Sequence, residues 1–112
     1  MTELKLDRAT LYEFHAQFCK TLADANRLLI IAELVRGEKS VSDLANSLGL
    51  HQSIVSKHLA LMRERGLVDT RRDGASIYYS LSDPRIFKAI ELLIQVQADQ
   101  VAKRHNLTQK SR

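Results

Sequence analysis

The stretch from Gly49 to Val68 restricts the fold of this chain more than any other feature of its sequence. Apolar residues recur in it at helical spacing, so the stretch reads as one helix with a face turned toward a core. This predicted core face comprises Val55, Leu59 and Met62, flanked by Ile54, His58 and Leu61. The other side carries short polar side chains and cations, namely Gln52, Ser53, Ser56, Lys57 and Arg63. Such a face can approach a DNA groove, read base edges and bind phosphates.

A short helix is predicted just before this stretch. Ser40 and Asp43 have the spacing of a capping box, which marks its start. Two helices separated by a few residues that include a glycine form a helix-turn-helix arrangement, in which the second helix enters the major groove. The plain alternative is a helical hairpin that serves only the core.

Two more helices are predicted upstream. The first runs from about Asp7 to Leu22 and has an apolar stripe that it must bury against something. The second begins at Asp24, a good N-cap residue, and ends near Gly37. The stripe of the first helix comprises Leu11, Phe14, His15, Phe18 and Leu22, and the predicted core face of the second comprises Ala25, Leu28, Leu29, Ala32 and Val35.

The hydrophobic period changes to two from Val68 onward. Two runs typical of strands, up to Arg72 and from Ser76 to Leu81, surround the pair Asp73-Gly74, which is a strong hairpin signal. We interpret this hairpin as a wing beside the DNA-reading helix. Arg71 and Arg72 near its tip could then reach phosphates or an adjacent minor groove. A solvated, charged edge strand is the alternative.

The last predicted helix runs from about Pro84 to Arg104 and would be roughly 30 Å long. One small core cannot cover such a helix, so we expect it and the first helix to pack against their copies in a C2 homodimer. Residues 1–6 are expected to be a flexible N-terminus and residues 105–112 a disordered tail. The domain would therefore span residues 7–104.

Composition agrees with a DNA-binding protein without proving one. The 112 residues suffice for one domain, and the net charge of +4 favours an acidic partner such as nucleic acid. No apolar run is long enough for a membrane span, and the N-terminus lacks a secretory pattern, so we predict a cytoplasmic protein. The single cysteine, Cys19, excludes a disulfide within one chain.

Catalysis is not predicted, because the sequence offers neither a nucleophile and base with an orienting third group nor a clustered set of metal ligands. The one suggestive spacing is that of His15 and Cys19, which stand four residues apart on the first helix. Together they could bind one metal ion or form a reactive pair, which makes them a candidate sensor. The alternative is a structural histidine and a structural cysteine. His58 is expected to be structural. His51 occupies the N-cap position of the long helix, where it could contact a phosphate or be a plain loop residue.

Three segments of the chain resemble the ArsR family of bacterial winged-helix repressors. They are residues 22–30, 41–45 and 55–68, which follow one another in family order and at family spacing within a resemblance that covers roughly residues 10–95. The resemblance implies a dimer that binds double-stranded DNA at an inverted repeat. It also shows what this chain lacks, because Ser40 and Ser42 stand where many relatives have metal-binding cysteines.

A second family site, for zinc between the paired last helices, is also incomplete. The matching stretch begins Asp83-Pro84-Arg85 and has Val96 and Asp99 downstream, so at most the carboxylates survive. The thiol switch of a third group of relatives needs two cysteines. No cofactor is therefore certain, and the identity of any metal is unknown.

The sequence thus predicts a mainly α protein with a small β-hairpin, a winged helix-turn-helix that dimerises through its first and last helices. The hairpin would lie between the fourth and fifth helices. We expect a homodimeric repressor, released by a metal or thiol-reactive signal. The alternatives are a repressor without a small-molecule sensor and a winged helix that binds only proteins. The candidate DNA contacts are Gln52, Ser53, Ser56, Lys57, Arg63, Arg71 and Arg72.

Overall fold

A computed structural model of the protein describes residues 7–110, and the predicted N-terminal segment 1–6 lies outside the described residues. The chain forms one compact unit that ends at Ser82 and a second that begins at Asp83. The described elements follow the predicted order: α1 (Arg8–Leu22), α2 (Ala25–Leu34), α3 (Val41–Leu48), α4 (Gln52–Glu64), β1 (Val68–Asp73), β2 (Ser76–Leu81) and α5 (Arg85–Lys110).

Side-chain caps fix the starts of the first three helices. Asp7 accepts a hydrogen bond from the Thr10 amide at 2.8 Å, and Asp24 accepts one from the Arg27 amide at 3.1 Å. Ser40 and Asp43 form the predicted capping box, with bonds of 3.1 and 3.2 Å. These contacts satisfy amide groups that would otherwise have no partner in the first turn, so the predicted starts are confirmed.

The stretch from Gly49 to Val68 contains one helix but is not helical throughout. Gly49 adopts a left-handed conformation with φ 66° and ends α3, so α4 begins only at Gln52. Gly66, with φ 78°, turns the chain after α4, as predicted, and Val68 already belongs to β1. The centre of the predicted core face of α4 is confirmed, because Val55, Leu59 and Met62 are fully buried. Of the flanking residues, His58 and Leu61 are half-buried, but Ile54 is exposed and does not belong to the core.

The core of the first unit surrounds α2, which contacts α1, α3, α4 and β2. The predicted core face of α2 is wrong, because Leu29 and Val35 are 49% and 39% exposed and Ala25 is also exposed. Apolar residues surround this helix almost completely, so their spacing could not single out one face. Packing against several neighbouring elements selects Ile30, Ile31 and Leu34 instead.

The hairpin pairs β1 and β2 in antiparallel register, from Val68 opposite Leu81 to Asp73 opposite Ser76. The turn lies at Gly74-Ala75, one residue later than Asp73-Gly74, because Asp73 still pairs within the strand. Gly74 has φ 61° and Ala75 has a negative φ, which fits a two-residue turn with glycine in its first position. Lys39 and Tyr79 exchange two backbone hydrogen bonds, of 3.0 and 2.8 Å, which attach the segment before α3 to the hairpin.

The second unit consists of α5, which continues past the predicted end at Arg104 to Lys110. No glycine or proline follows Pro84, so nothing in the sequence stops the helix where we placed its end. Residues 105–110, which we assigned to the tail, are therefore helical, and residues 111–112 lie outside the described residues. No helix in the described part of the chain has the length and apolar character needed to cross a membrane.

Candidate nucleic-acid interface

The buried side of α4 determines which of its residues face solvent. Since Val55, Leu59 and Met62 are fully buried, the helix cannot rotate about its axis without exposing them. Burial of each such side chain stabilises the fold by about 1.5–3 kcal/mol. The five residues predicted to face DNA are all exposed, and the structure brings them together on the remaining surface of the helix: Gln52, Ser53, Ser56, Lys57 and Arg63.

The first turn of α4 is open to a ligand. His51 is the N-cap residue, as predicted, but its side chain makes no capping hydrogen bond. The first amide groups of the helix are thus available to water or to a phosphate oxygen. Gln52 donates a side-chain hydrogen bond to the Ser42 hydroxyl at 3.2 Å, which orients the glutamine and links α4 to α3.

Arg27 anchors α4 through His58. Its Nε donates to the backbone oxygen of Thr21 at 2.6 Å, and its Nη1 donates to Nδ1 of His58 at 3.3 Å. The guanidinium is always protonated, so Nδ1 must accept and the imidazole proton lies on Nε2, which is 3.9 Å from the Asp24 carboxylate. One side chain thereby connects the end of α1, the start of α2 and the middle of α4. The structural role that we expected for His58 agrees with this contact.

Asp24 completes the same cluster. The hydrogen bond from the Arg27 amide is the main cause that holds the pKa of Asp24 below its usual value, and the charge of Arg27 acts in the same direction. Desolvation opposes them. The carboxylate is therefore ionised at neutral pH and serves as both the cap of α2 and a partner of His58.

The two arginines of the wing have different surroundings, although they are adjacent. Arg71 donates hydrogen bonds from Nε and Nη2 to both carboxylate oxygens of Glu38, and its guanidinium lies 5.1 Å from the centroid of the Tyr78 ring. The Arg71 guanidinium lowers the pKa of Glu38, and the carboxylate raises the pKa of Arg71. Arg72 points to the other face of the strand, is exposed, and its side chain has no hydrogen bond or ion pair within residues 7–106.

The candidate sensor residues are in contact on α1. Sγ of Cys19 and Nε2 of His15 lie 3.4 Å apart, and both side chains are exposed. No group of three or more histidine, cysteine, aspartate or glutamate side chains that could hold a metal ion occurs in the described part of the chain. The pair could therefore supply two ligands to a metal ion, and the remainder would have to come from elsewhere.

The carboxylates that match the family's zinc site already have hydrogen-bond partners. Asp83 accepts hydrogen bonds from the backbone and the guanidinium of Arg85, and the side-chain bond lowers the pKa of Asp83 to about 2. Asp99 accepts a hydrogen bond from Gln95 at 3.0 Å. An arginine thus pairs with the first carboxylate at the position where those relatives have a ligand.

Two residues that hold parts of this surface in place were not predicted from the sequence. Arg27 stands three residues after the cap Asp24, but nothing in that spacing reveals its bonds to Thr21 and His58. Glu38 lies 33 residues before its partner Arg71, so no local pattern could connect them.

A helix-turn-helix followed by a two-stranded wing, with a polar and cationic helix face exposed, defines the winged helix-turn-helix class of DNA-binding proteins. The family model described as bacterial regulatory protein, arsR family, matches residues 24–70. The nodulation protein NolR of Rhizobium meliloti is 41% identical over 87 residues, which cover 78% of this chain and 71% of the relative. The chain belongs to the ArsR family. It is a transcriptional regulator of that family and not an enzyme.

Other relatives extend the comparison to function and structure. The transcriptional activator HlyU of Vibrio cholerae is 41% identical over 83 residues, or 72% of this chain and 77% of the relative. The crystal structure of Rv0081 from M. tuberculosis is 36% identical with a TM-score of 0.76, covering 84% of this chain and 95% of that one. The homodimeric winged helix-turn-helix DNA-binding domain of Mb0332 from Mycobacterium bovis is 31% identical with a TM-score of 0.70, covering 89% and 92%.

Proposed function

We propose that the protein is a homodimeric repressor that acts in the cytoplasm and binds an inverted-repeat operator through α4 and the wing. The observation that carries this proposal is the exposed face of α4, which is polar and cationic while three fully buried residues hold the opposite side. A helix fixed in this way can present its side chains to a major groove without first being ordered.

Exposed apolar side chains support the homodimer. Leu11 and Phe14 on α1 are 49% and 60% exposed, and Leu92 and Leu93 on α5 are 69% and 62% exposed. A group of large exposed apolar side chains on a helix indicates an interaction surface, and each of these two helices has such a group. The Mb0332 domain is homodimeric. In this proposal a second copy of this chain covers the exposed apolar side chains of each helix. Two-fold symmetry would place two α4 helices in major grooves about 34 Å apart.

The residues of the face divide into two roles in this proposal. Gln52, Ser53, Ser56 and Lys57 read bases, where glutamine can bond adenine at two points and lysine can donate to guanine. Lys57, Arg63 and Arg72 bind phosphates. Arg71, which we also predicted to contact phosphate, must exchange its bonds with Glu38 for any such contact.

The experiment is fluorescence anisotropy of the reduced protein with its own upstream DNA and with a scrambled duplex, across a salt series. We expect preference for the upstream DNA that falls steeply as salt rises. Gln52→Ala should reduce the ratio of the two affinities, because it removes a base contact, whereas Lys20→Ala on α1 should leave that ratio unchanged. An unchanged ratio for Gln52→Ala would refute the assignment of that residue. Equal weak binding to both duplexes would instead favour a protein-interaction module.

Repression is proposed because a dimer on an operator blocks access of polymerase, whereas the relative HlyU is described as an activator. Deletion of the gene would decide between the two modes. Transcription of a reporter behind the bound promoter should rise when the regulator is absent, and a fall would mean that it activates.

We propose His15 and Cys19 as the sensor, because their 3.4 Å contact places a thiol beside an imidazole at an exposed position. A metal ion or a thiol-reactive compound would release DNA by altering α1. Cys19→Ser should abolish the response to such compounds and leave basal DNA affinity unchanged. If the variant still responded fully, the protein would be a repressor without a sensor at this pair.

A further inference from the structure

A cleft of about 350 Å³ lies beside α4, in the first unit of the chain. Its lining comes from the start of α2 and from the flank of α4 that separates the polar face from the core: Arg27, Ile54, Lys57, His58 and Leu61. The volume falls in the range of small-molecule sites. Lys57 is the one residue that lines this cleft and also belongs to the proposed DNA-binding face.

One wall of the cleft is cationic. Nε and Nη1 of Arg27 are bonded to Thr21 and His58, but Nη2 makes no hydrogen bond within the described residues and is free to donate. The Lys57 ammonium is exposed and likewise has no ion pair there. The carboxylate near this group, Asp24, is committed to the Arg27 amide and to His58. Two cations with unused donors suit an anion, and a carboxylate matches the planar guanidinium.

The other wall of the cleft is apolar. Ile54 is 37% exposed and Leu61 is half-buried, and the two stand seven residues apart on α4, so they lie on one stripe of the helix. A simple anion would leave this apolar wall in water, and a purely apolar molecule would leave both cations unpaired. A molecule that has a carboxylate and an aliphatic or aromatic body satisfies both walls at once.

We propose that this cleft binds a small carboxylate with an apolar body, and that its occupation weakens DNA binding. The carboxylate pairs with Arg27 and Lys57 while the body covers Ile54 and Leu61. A lysine paired in this way no longer supplies a free charge to DNA, so the two ligands compete for Lys57. The effect on DNA binding rests on the proposed function, whereas the binding of a carboxylate in the cleft concerns the protein alone.

The first test therefore contains no DNA. The full-length protein is titrated with hexanoate, 4-phenylbutyrate and indole-3-acetate, and backbone amide resonances are followed by NMR. We expect saturable shifts centred on Arg27 and residues 54–61 for at least one of the three. The uncharged 4-phenylbutan-1-ol and inorganic phosphate should bind at least tenfold more weakly. If none of the three carboxylates shifts these resonances, the proposal is overturned. Equal binding of phosphate would show a plain phosphate site and would also overturn it.

Variants locate the binding site. Ile54→Trp fills the apolar side without changing charge and should weaken probe binding at least tenfold. Val35→Trp is its matched control, because Val35 is 39% exposed, lies outside the cleft and should tolerate the same substitution. Both variants must retain the amide spectrum of a folded protein. Undiminished probe binding by a folded Ile54→Trp protein would place the ligand elsewhere and refute the assignment.

The second test measures coupling to DNA. Operator affinity is determined with and without saturating carboxylate at constant ionic strength, and we expect a loss of about 5-fold to 100-fold in the wild type. The Ile54→Trp protein should lose less than twofold. Probe binding with no change in DNA affinity would refute the coupling but keep the site. A wild type that binds no DNA even without the probe would instead count against the proposed function.

Discussion

The helix α4 and the wing differ in whether their cationic side chains are paired with a carboxylate. On α4, Lys57 and Arg63 are exposed, and neither forms an ion pair within the described residues. On the wing, Arg71 is held by Glu38 and covers the Tyr78 ring, whereas the adjacent Arg72 has no such partner within residues 7–106. The wing therefore offers DNA one paired and one unpaired cation, whereas both of these cations on α4 are unpaired within the described part of the chain.

The difference separates cations that bind from cations that hold the fold in place. An unpaired cation can bind a phosphate and release a counterion when DNA binds. A paired arginine must first give up its carboxylate, which would then stand uncompensated beside the DNA backbone. The Glu38–Arg71 pair, together with the backbone bonds between Lys39 and Tyr79, attaches the wing to the segment before α3. Counting basic residues on a surface thus overestimates the number of phosphates that it binds.

Reversing an unpaired charge on α4 should have the largest effect. Lys57→Glu replaces an attraction to DNA by a repulsion at the centre of the exposed face, and we expect operator affinity to fall by about 100-fold or more. Anisotropy at fixed salt measures this loss. Lys20→Glu on α1 changes the net charge of the protein equally and should cost less than threefold. A similar loss in both variants would mean that net charge, and not this face, determines binding.

The adjacent arginines of the wing test the comparison directly. Arg72→Ala should weaken binding to operator and scrambled DNA alike, by about tenfold, because phosphate binding carries no sequence information. The salt slope should fall by about 0.9 for each phosphate that is no longer bound, so a homodimer should lose about 1.8. Arg71→Ala should change the slope by less than half of that. Equal slopes for the two variants would show that Arg71 leaves Glu38 when DNA binds.

The prediction of core faces from the sequence succeeded for α4 and failed for α2. The core face of α4 followed from its spacing, because a polar side and an apolar side alternate there at a clear helical period. In α2 the spacing failed, since apolar residues surround that helix and only its neighbours in the fold select Ile30, Ile31 and Leu34. Local signals such as the Ser40 and Asp43 capping box were reliable, because both partners lie within one turn.

Residue spacing could not predict whether a functional side chain is paired or unpaired in the folded protein. Arg71 and Arg72 are the same residue type at adjacent positions, and their difference arises from Glu38, which approaches only after the chain has folded. The cleft beside α4 has a similar origin, because Arg27 reaches His58 across 31 positions of sequence. Long-range contacts of single side chains leave no periodic trace in a sequence.

Releasing the paired arginine should strengthen DNA binding modestly. Glu38→Gln removes the carboxylate that holds Arg71 and also removes a negative charge near the wing. We expect affinity for scrambled DNA to rise by about threefold and the salt slope to become steeper by about 0.9 for each additional phosphate that the protein binds. Glu13→Gln on α1 is the control for the loss of one negative charge. Weaker binding by Glu38→Gln would mean that the pair is needed to position the wing.

The pair of Asp83 and Arg85 extends the comparison to a site with no proposed DNA contact and should give the smallest effect. The side-chain bond to Arg85 lowers the pKa of Asp83 from 3.8 to about 2. Because the folded value is depressed, the pair stabilises the protein above about pH 4, and this contribution is lost as the pH falls toward 2. In urea denaturation at one protein concentration, Asp83→Asn should therefore be less stable than wild type at pH 5 and should converge with it near pH 2. Asp99→Asn, within α5, should show a smaller change across this interval. A difference between wild type and Asp83→Asn that persisted unchanged at pH 2 would indicate that the substitution acts through the start of α5 and not through the ion pair.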